Sequence, residues 1–228
     1  MKSGSKCLSL SLSLVALVLM LAAIALAPAM SAAGAAAIPK ASQPVLMVSA
    51  GQGNGVLVAT ALADRIKLPY DYSDVPTAKH VAAGAGLEGF VEGDGAHREL
   101  KSGKPKGTPY QTVFLVMGAS LKGMGASGLS LNQEVARLKD VIKYCRDKKI
   151  LLVGMHVEGK AMRGKPGSDN EAIIDAVAPF CDYLIVMNTS NQDGKFTQIG
   201  KEKNIPVSVA EKTSEIQTIF QTMFGLAK

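Results

Sequence analysis

An α/β fold of three layers, with helices on both faces of a mostly parallel sheet of five to six strands, is predicted by three features of this sequence. Short runs of Val, Ile, Leu and Met without polar alternation recur along the chain, as strands buried on both faces require. A stretch with apolar residues at helical spacing follows nearly every run. Each run leaves through a loop rich in Gly, Ser, Asn or Asp, the punctuation of a strand-to-helix connection. Such alternation implies right-handed crossovers and therefore parallel strands.

The chain opens with Lys2 and Lys6, an apolar and serine run from Leu8 to Ala27, and small residues at Ala27-Pro28-Ala29 and Ser31-Ala32-Ala33. This is the pattern of a secretory signal peptide over residues 1–33, followed by an Ala-rich leader over 34–43. The run approaches the ~20 residues of a membrane helix. Small residues at its exit and the lack of a basic stop-transfer cluster nevertheless point to cleavage. The expected product is exported, periplasmic or extracellular, with no stable membrane insertion. Loss of Lys2 and Lys6 takes the net charge from +6 to +4. No basic stripe interleaved with aromatics is present, so no nucleic acid partner is expected. Residues 44–228 suffice for a single domain, and oligomeric state stays open. Cys145 and Cys181 end consecutive predicted helices; they either pair in an oxidising compartment or serve as small buried apolar residues.

Pro44 to Ala50 reads as a first central strand. Gly51-Gln52-Gly53-Asn54-Gly55 follows, then a helix through Val56, Leu57, Ala59, Leu62, Ala63 and Ile66. Pro69 to Val75 alternates and is polar enough for a short edge strand. Residues 77–109 are rich in Gly, Lys and Ala, with one possible helix near Thr77 to Ala83; so long an irregular insertion reads as a flap or a poorly ordered segment. Thr112 to Gly118 is the next buried strand. Ser130 and Gln133 have capping-box spacing before a helix with Val135, Leu138, Val141, Ile142 and Cys145 on one stripe. Ile150 to Glu158 is a buried run ending in ionisable side chains, and Ser168 with Glu171 opens the following helix. Tyr183 to Met187 and Ile205 to Ala210 complete the strands, and Ile216, Ile219, Phe220, Met223 and Phe224 line the closing helix. The polar second strand favours a flavodoxin-like order over another Rossmann-like one.

Parallel strands carry their exit loops to one rim, where open α/β sheets bind ligands. Candidate ligand-binding residues are therefore Gly53, Asn54, Gly55, Ser120, Lys122, His156, Arg163, Asn188, Asn191 and Asp193. Backbone N–H groups at Gly53 to Gly55 can cradle an anion at a helix start. Val56 stands where the dinucleotide fingerprint needs its third glycine, so no nucleotide cofactor is called for. Gly159 to Pro166 nearly spells a phosphate-binding loop, but Pro166 occupies the position of the magnesium-binding hydroxyl. His156 and Glu158, two apart on a strand, should share a face, where the carboxylate would orient the imidazole as a general base. One His and one Glu are too few for a metal site, so none is expected, and His80 and His97 join only if the insertion folds back. Ser120 is the candidate nucleophile of a hydrolase using His156 as base, although no Gly-x-Ser-x-Gly or Ser-x-x-Lys pattern is present. Arg163 and Lys122 can pair with an anion. Asn191-Gln192-Asp193-Gly194 is a strong turn whose rim position also allows polar ligand contacts.

Ser120-Leu121-Lys122-Gly123-Met124-Gly125, Gly154-Met155-His156, Arg163-Gly164, Ser168-Asp169, Asp182 to Val186 and Asn191 to Gly194 together resemble an uncharacterised family of exported bacterial α/β proteins, over most of the chain from Pro44 onward. The resemblance implies the domain and the compartment and brings no activity. The expected function is binding of a small polar or anionic molecule at the carboxyl rim. The alternatives are a hydrolase using His156 with Ser120 or water, and a cell-envelope interaction module working through residues 77–109.

Overall fold

The structure, a computed structural model, describes residues 37–227. The predicted signal peptide lies outside the described residues. In chain order the elements are β1 (Val45–Ala50), α1 (Gly55–Arg65), β2 (Asp71–Ser73), α2 (Ala78–Ala82), β3 (Arg98–Leu100), β4 (Thr112–Met117), α3 (Leu121–Ala126) and α4 (Leu131–Asp147). They continue as β5 (Leu151–His156), α5 (Asp169–Val177), β6 (Tyr183–Met187), α6 (Lys195–Lys203), β7 (Val207–Ala210) and α7 (Thr213–Phe224).

The strands form one sheet in the order β3-β2-β1-β4-β5-β6-β7. All neighbouring pairs are parallel except β2 and β3. Without β3, the order is the flavodoxin-like one, reversing direction between β1 and β4. Period-two alternation splits each central strand between two cores. Leu46, Val48, Val113, Leu115, Leu152 and Leu184 face α4, α5 and α6, where Leu138, Val141, Ile173, Val177 and Phe196 meet them. Val45, Met47, Phe114, Val116, Val153 and Tyr183 face α1 and α7, against Val56, Leu62, Ile216 and Phe220. No helix among the described residues is long and apolar enough to cross a membrane.

Two sequence expectations change. The sheet has seven strands among the described residues rather than five to six, because the 77–109 insertion supplies β3. As a result β2 is not the edge. Its polar residues are buried instead, Asp71 and Ser73 both with 0% exposure. Asp71 accepts from the backbone N–H of Ser102 (2.9 Å) and of Gly86 (3.1 Å) and from the Tyr110 hydroxyl (2.7 Å). A carboxylate holding three donors can be buried without a counter-ion because its charge is met by hydrogen bonds. The insertion is thereby tied down rather than a free flap. Arg98 donates to the carbonyls of Gly86 and Leu87, and Val81, Ala85 and Leu87 enter the core beside α4. His80 closes a capping box with Thr77 at the start of α2 and does not approach His156.

Candidate functional site

The exit loops of β1, β4, β5, β6 and β7 share one rim, as parallel strands dictate. The switch point between β1 and β4, where an open α/β sheet ordinarily takes its ligand, is closed by the loops themselves. Gly53 N donates to Gly118 O (2.8 Å), Ser120 N donates to Gly51 O (2.8 Å), and Gln52 bridges Ala119. Gly51 adopts φ +98°, and a Cβ there would lie 2.6 Å from the Gly118 carbonyl oxygen, so only glycine fits this approach. From the side of α4, Glu134 Oε1 accepts from Gly51 N (2.8 Å), with 0% of Glu134 exposed. Arg137 neutralises Glu134 and also reaches the carbonyls of Pro76 and Ser49. Asn170 Oδ1 takes Ala119 N at 2.7 Å, fixing the start of α5 to the same junction.

The anion cradle at Gly53 to Gly55 is filled by the chain's own carboxylate. Glu158 Oε1 accepts from Asn54 N at 3.1 Å, and Oε2 is buried without a partner beside Gly53, Gly55 and Gly118. Burial raises its pKa, while the N–H groups of Gly55 and Asn54 oppose the rise. Glu158 does not pair with His156: β5 ends at His156, so the period-two rule that would place both on one face no longer applies. A Cβ on Gly118 would stand next to Glu158 Oε2, with no other atom nearer than 3.5 Å. Gly118→Ala therefore requires only that the Glu158 carboxylate swing aside, and is expected to destabilise by about 1 kcal/mol as its hydrogen bond from Asn54 N is lost. In a Glu158→Ala background the same substitution should cost less than about 0.5 kcal/mol, since the two positions are coupled. Urea unfolding of the four proteins measures this; equal losses in both backgrounds would mean that the carboxylate does not occupy the junction.

His156 has 0% exposure and is committed on both ring nitrogens. Nε2 faces the Met162 carbonyl at 3.3 Å, which can only accept, so Nε2 carries the proton. Nδ1 then accepts from the Ser190 hydroxyl (2.8 Å), and that hydroxyl oxygen accepts from Gly159 N (3.1 Å). The serine partner of His156 is thus Ser190 and not Ser120. Burial lowers the imidazole pKa to about 4, the Met162 hydrogen bond opposing and Arg163 adding to the fall. Ser190 is 1% exposed. A weak base beside an inaccessible hydroxyl is a packing arrangement that joins two exit loops rather than a poised nucleophile.

Arg163 fastens the same two loops. Nε and Nη2 donate to Glu171 Oε1 (3.0 and 2.9 Å), and Nη1 donates to Ser190 O (2.6 Å). Nη1 and Nη2 also form a two-point pair with Asp193 Oδ1 and Oδ2 (2.9 and 2.8 Å). The guanidinium stacks 5.2 Å over the Phe196 ring. Glu171, expected to complete a capping box with Ser168, accepts Arg163 and Lys195 instead. Arg163 therefore has no spare N–H for a ligand while Asp193 stays in place.

The remaining candidates are dispersed. Ser120 caps α3 by accepting from Gly123 N (3.1 Å), and Lys122 is exposed. Asn188 donates to Glu211 (3.1 Å). Asn191 caps α6 by accepting from Phe196 N (3.0 Å) and donates to Thr197. Sequence reading missed Glu134, Arg137, Asn170 and Ser190, and gave Glu171 only a helix-start role. The one available signal was charge at inward helical positions of α4 and α5, since a helix stripe otherwise apolar buries whatever falls on it. Cys145 and Cys181 are free buried thiols; burial pushes Cys145 up to about 12 and raises Cys181 as well.

A hollow opens on the carboxyl rim among the described residues. It encloses about 400 Å³ between the β5 and β6 exit loops, lined chiefly by Lys160, Arg163, Thr189, Ser190, Gln192 and Asp193. Hollows of about 540 and 510 Å³ lie away from this rim, along the outer side of α4 among Asp140, Lys143 and Asp147. Those are charged helix flanks, which solvent covers in an ordinary surface. No group of three or more His, Cys, Asp or Glu among the described residues could hold a metal ion. No curated protein and no solved structure matches the chain. The family described as Domain of unknown function (DUF6305) matches residues 42–224, nearly the whole α/β body, and the chain belongs to that family.

Proposed function

We propose that the protein binds a small polar molecule, without transforming it, in the rim hollow between the β5 and β6 exit loops. The observation that carries this reading is that hollow of about 400 Å³, at the strand ends where open α/β sheets bind ligands, with charged and hydrogen-bonding walls. The buried His156–Ser190 hydrogen bond and the bond from Arg163 to the Ser190 carbonyl tie its two walls together. The junction between β1 and β4 is the wrong place for a ligand, because backbone pairing and Glu158 already fill it. Export follows from the signal pattern at residues 1–33, so the ligand is one met outside the cytoplasm.

A thermal-shift screen of the purified chain against amino acids, organic acids and sugars tests the reading. A ligand at one hundred times its Kd should stabilise by about 2.7 kcal/mol. Its amide chemical-shift changes should fall at Lys160 to Gly164 and Thr189 to Asp193. Shifts confined to other loops, or no stabiliser across the screen, would remove the proposal.

A further inference from the structure

Asp193 and Arg163 stand in contrast. The Arg163 side chain is 9% exposed and the Asp193 side chain 57%, although they form a two-point pair. The inward edge of the guanidinium is held by Glu171 and the Ser190 carbonyl, and its face by Phe196. Its orientation therefore does not depend on Asp193. Only the outward edge meets Asp193, whose carboxylate otherwise accepts just Lys195 N at 3.2 Å, at the start of α6. That carboxylate lies in the wall of the rim hollow, on the Asn191-to-Gly194 turn. Across the hollow, Lys160 is exposed and makes no ion pair among the described residues.

We infer that the rim hollow recognises a small carboxylic acid, whose carboxylate replaces that of Asp193 on the outward edge of Arg163. The inference rests on the pocket reading above and names its ligand class. Exchange of one carboxylate for another conserves the charge and both hydrogen bonds, and the helix start at Lys195 favours an anion in that position. A planar two-oxygen group matches the guanidinium edge, which sets the acid apart from a neutral sugar or an amine. A second acidic group on the same molecule reaches Lys160. Asp193 is then an internal competitor: the apparent affinity is reduced by the fraction of time the edge is open.

The test uses the purified chain and succinate, with butyrate as the acid of the same length lacking the second carboxylate, followed by calorimetry and amide chemical shifts. Asp193→Asn removes the competing charge while keeping the shape, and should bind succinate at least about tenfold tighter than the wild type if the edge is open less than a tenth of the time. Asp193→Ala provides a second competitor-free variant should asparagine keep the turn shut. Butyrate should bind more weakly than succinate in both, and Lys160→Gln should erase that difference. Arg163→Lys combined with Asp193→Asn should lose the gain. Unchanged or weaker succinate binding in both Asp193 variants overturns the exchange. If other molecules then still shift Thr189 to Asp193 amides, the pocket survives without its carboxylate; if none does, both fall.

Discussion

Replacing Arg137 by alanine is expected to destabilise the protein by about 3–5 kcal/mol, the usual cost of stranding one member of a buried ion pair. Glu134 would be left in a position with 0% exposure, with only the Gly51 N–H remaining as a donor. The lost guanidinium donates to Glu134 Oε2 at 2.8 Å and Oε1 at 2.6 Å, and to the carbonyls of Pro76 (2.8 Å) and Ser49 (3.0 Å). Two main-chain acceptors are therefore orphaned along with the carboxylate. The double variant Glu134→Gln/Arg137→Met should lose less than Arg137→Ala alone, because it removes the uncompensated charge as well. Urea denaturation midpoints for the set decide the matter. A loss below about 1 kcal/mol for Arg137→Ala would mean that water reaches Glu134, and the junction would then be less closed than its hydrogen bonds imply.

Acidification should weaken the fold through His156 by about 3 kcal/mol between pH 6.5 and 4. The native imidazole has its pKa lowered to about 4 from 6.5, and each unit corresponds to about 1.36 kcal/mol. The unfolded chain takes up the proton first as pH falls. The contribution is therefore complete above pH 6.5 and is lost progressively down to about pH 4. The structural cost is legible in the hydrogen bonds: a proton on Nδ1 would turn the Ser190 O–H away from the ring, leaving that hydroxyl without its acceptor while its oxygen takes both the ring N–H and the Gly159 N–H. His156→Gln can still donate to Met162 O and accept from Ser190, but it does not titrate. Stability of the wild type minus that of His156→Gln, measured from pH 7 to 4, should fall along this window. Glu158 acts in the opposite sense, since its raised pKa makes the native state hold a proton that the unfolded chain has released. Taking the difference between the two proteins cancels that contribution. A flat difference would place His156 in contact with solvent.

Much of the site's supposed chemistry was legible as position but not as role. The rim was deduced correctly from strand polarity, and Gly53, Ser120, His156, Arg163 and Asp193 are all at strand exits. What each side chain does there depends on partners from distant segments. Asn54 meets Glu158 across 104 residues and Gly51 meets Glu134 across 83. Local spacing carries no record of such pairs. Arg163 has the same local sequence whether its fork faces solvent or Asp193. Asp71 misled in the other direction: its polarity looked like exposure at an edge, while two of its three donors lie in an insertion with no periodic pattern and the third, Tyr110, just after it.

By itself the sequence determined the alternation of buried strands and amphipathic helices, the parallel order that follows from it, and the helix starts at Ser130 and Ser168. Those are short-range properties, set by the period of apolar residues and by caps within four positions. The tertiary structure alone decided that the β1–β4 junction is sealed and that an open hollow lies two strand pairs further along, between the β5 and β6 exit loops. It also decided that Glu158 fills the helix start proposed for an external anion. The physical reason is that a charged group lowers its free energy by finding a donor or a counter-ion before it is buried. Which donor it finds is settled only when the packed loops bring remote chain segments within hydrogen-bonding distance.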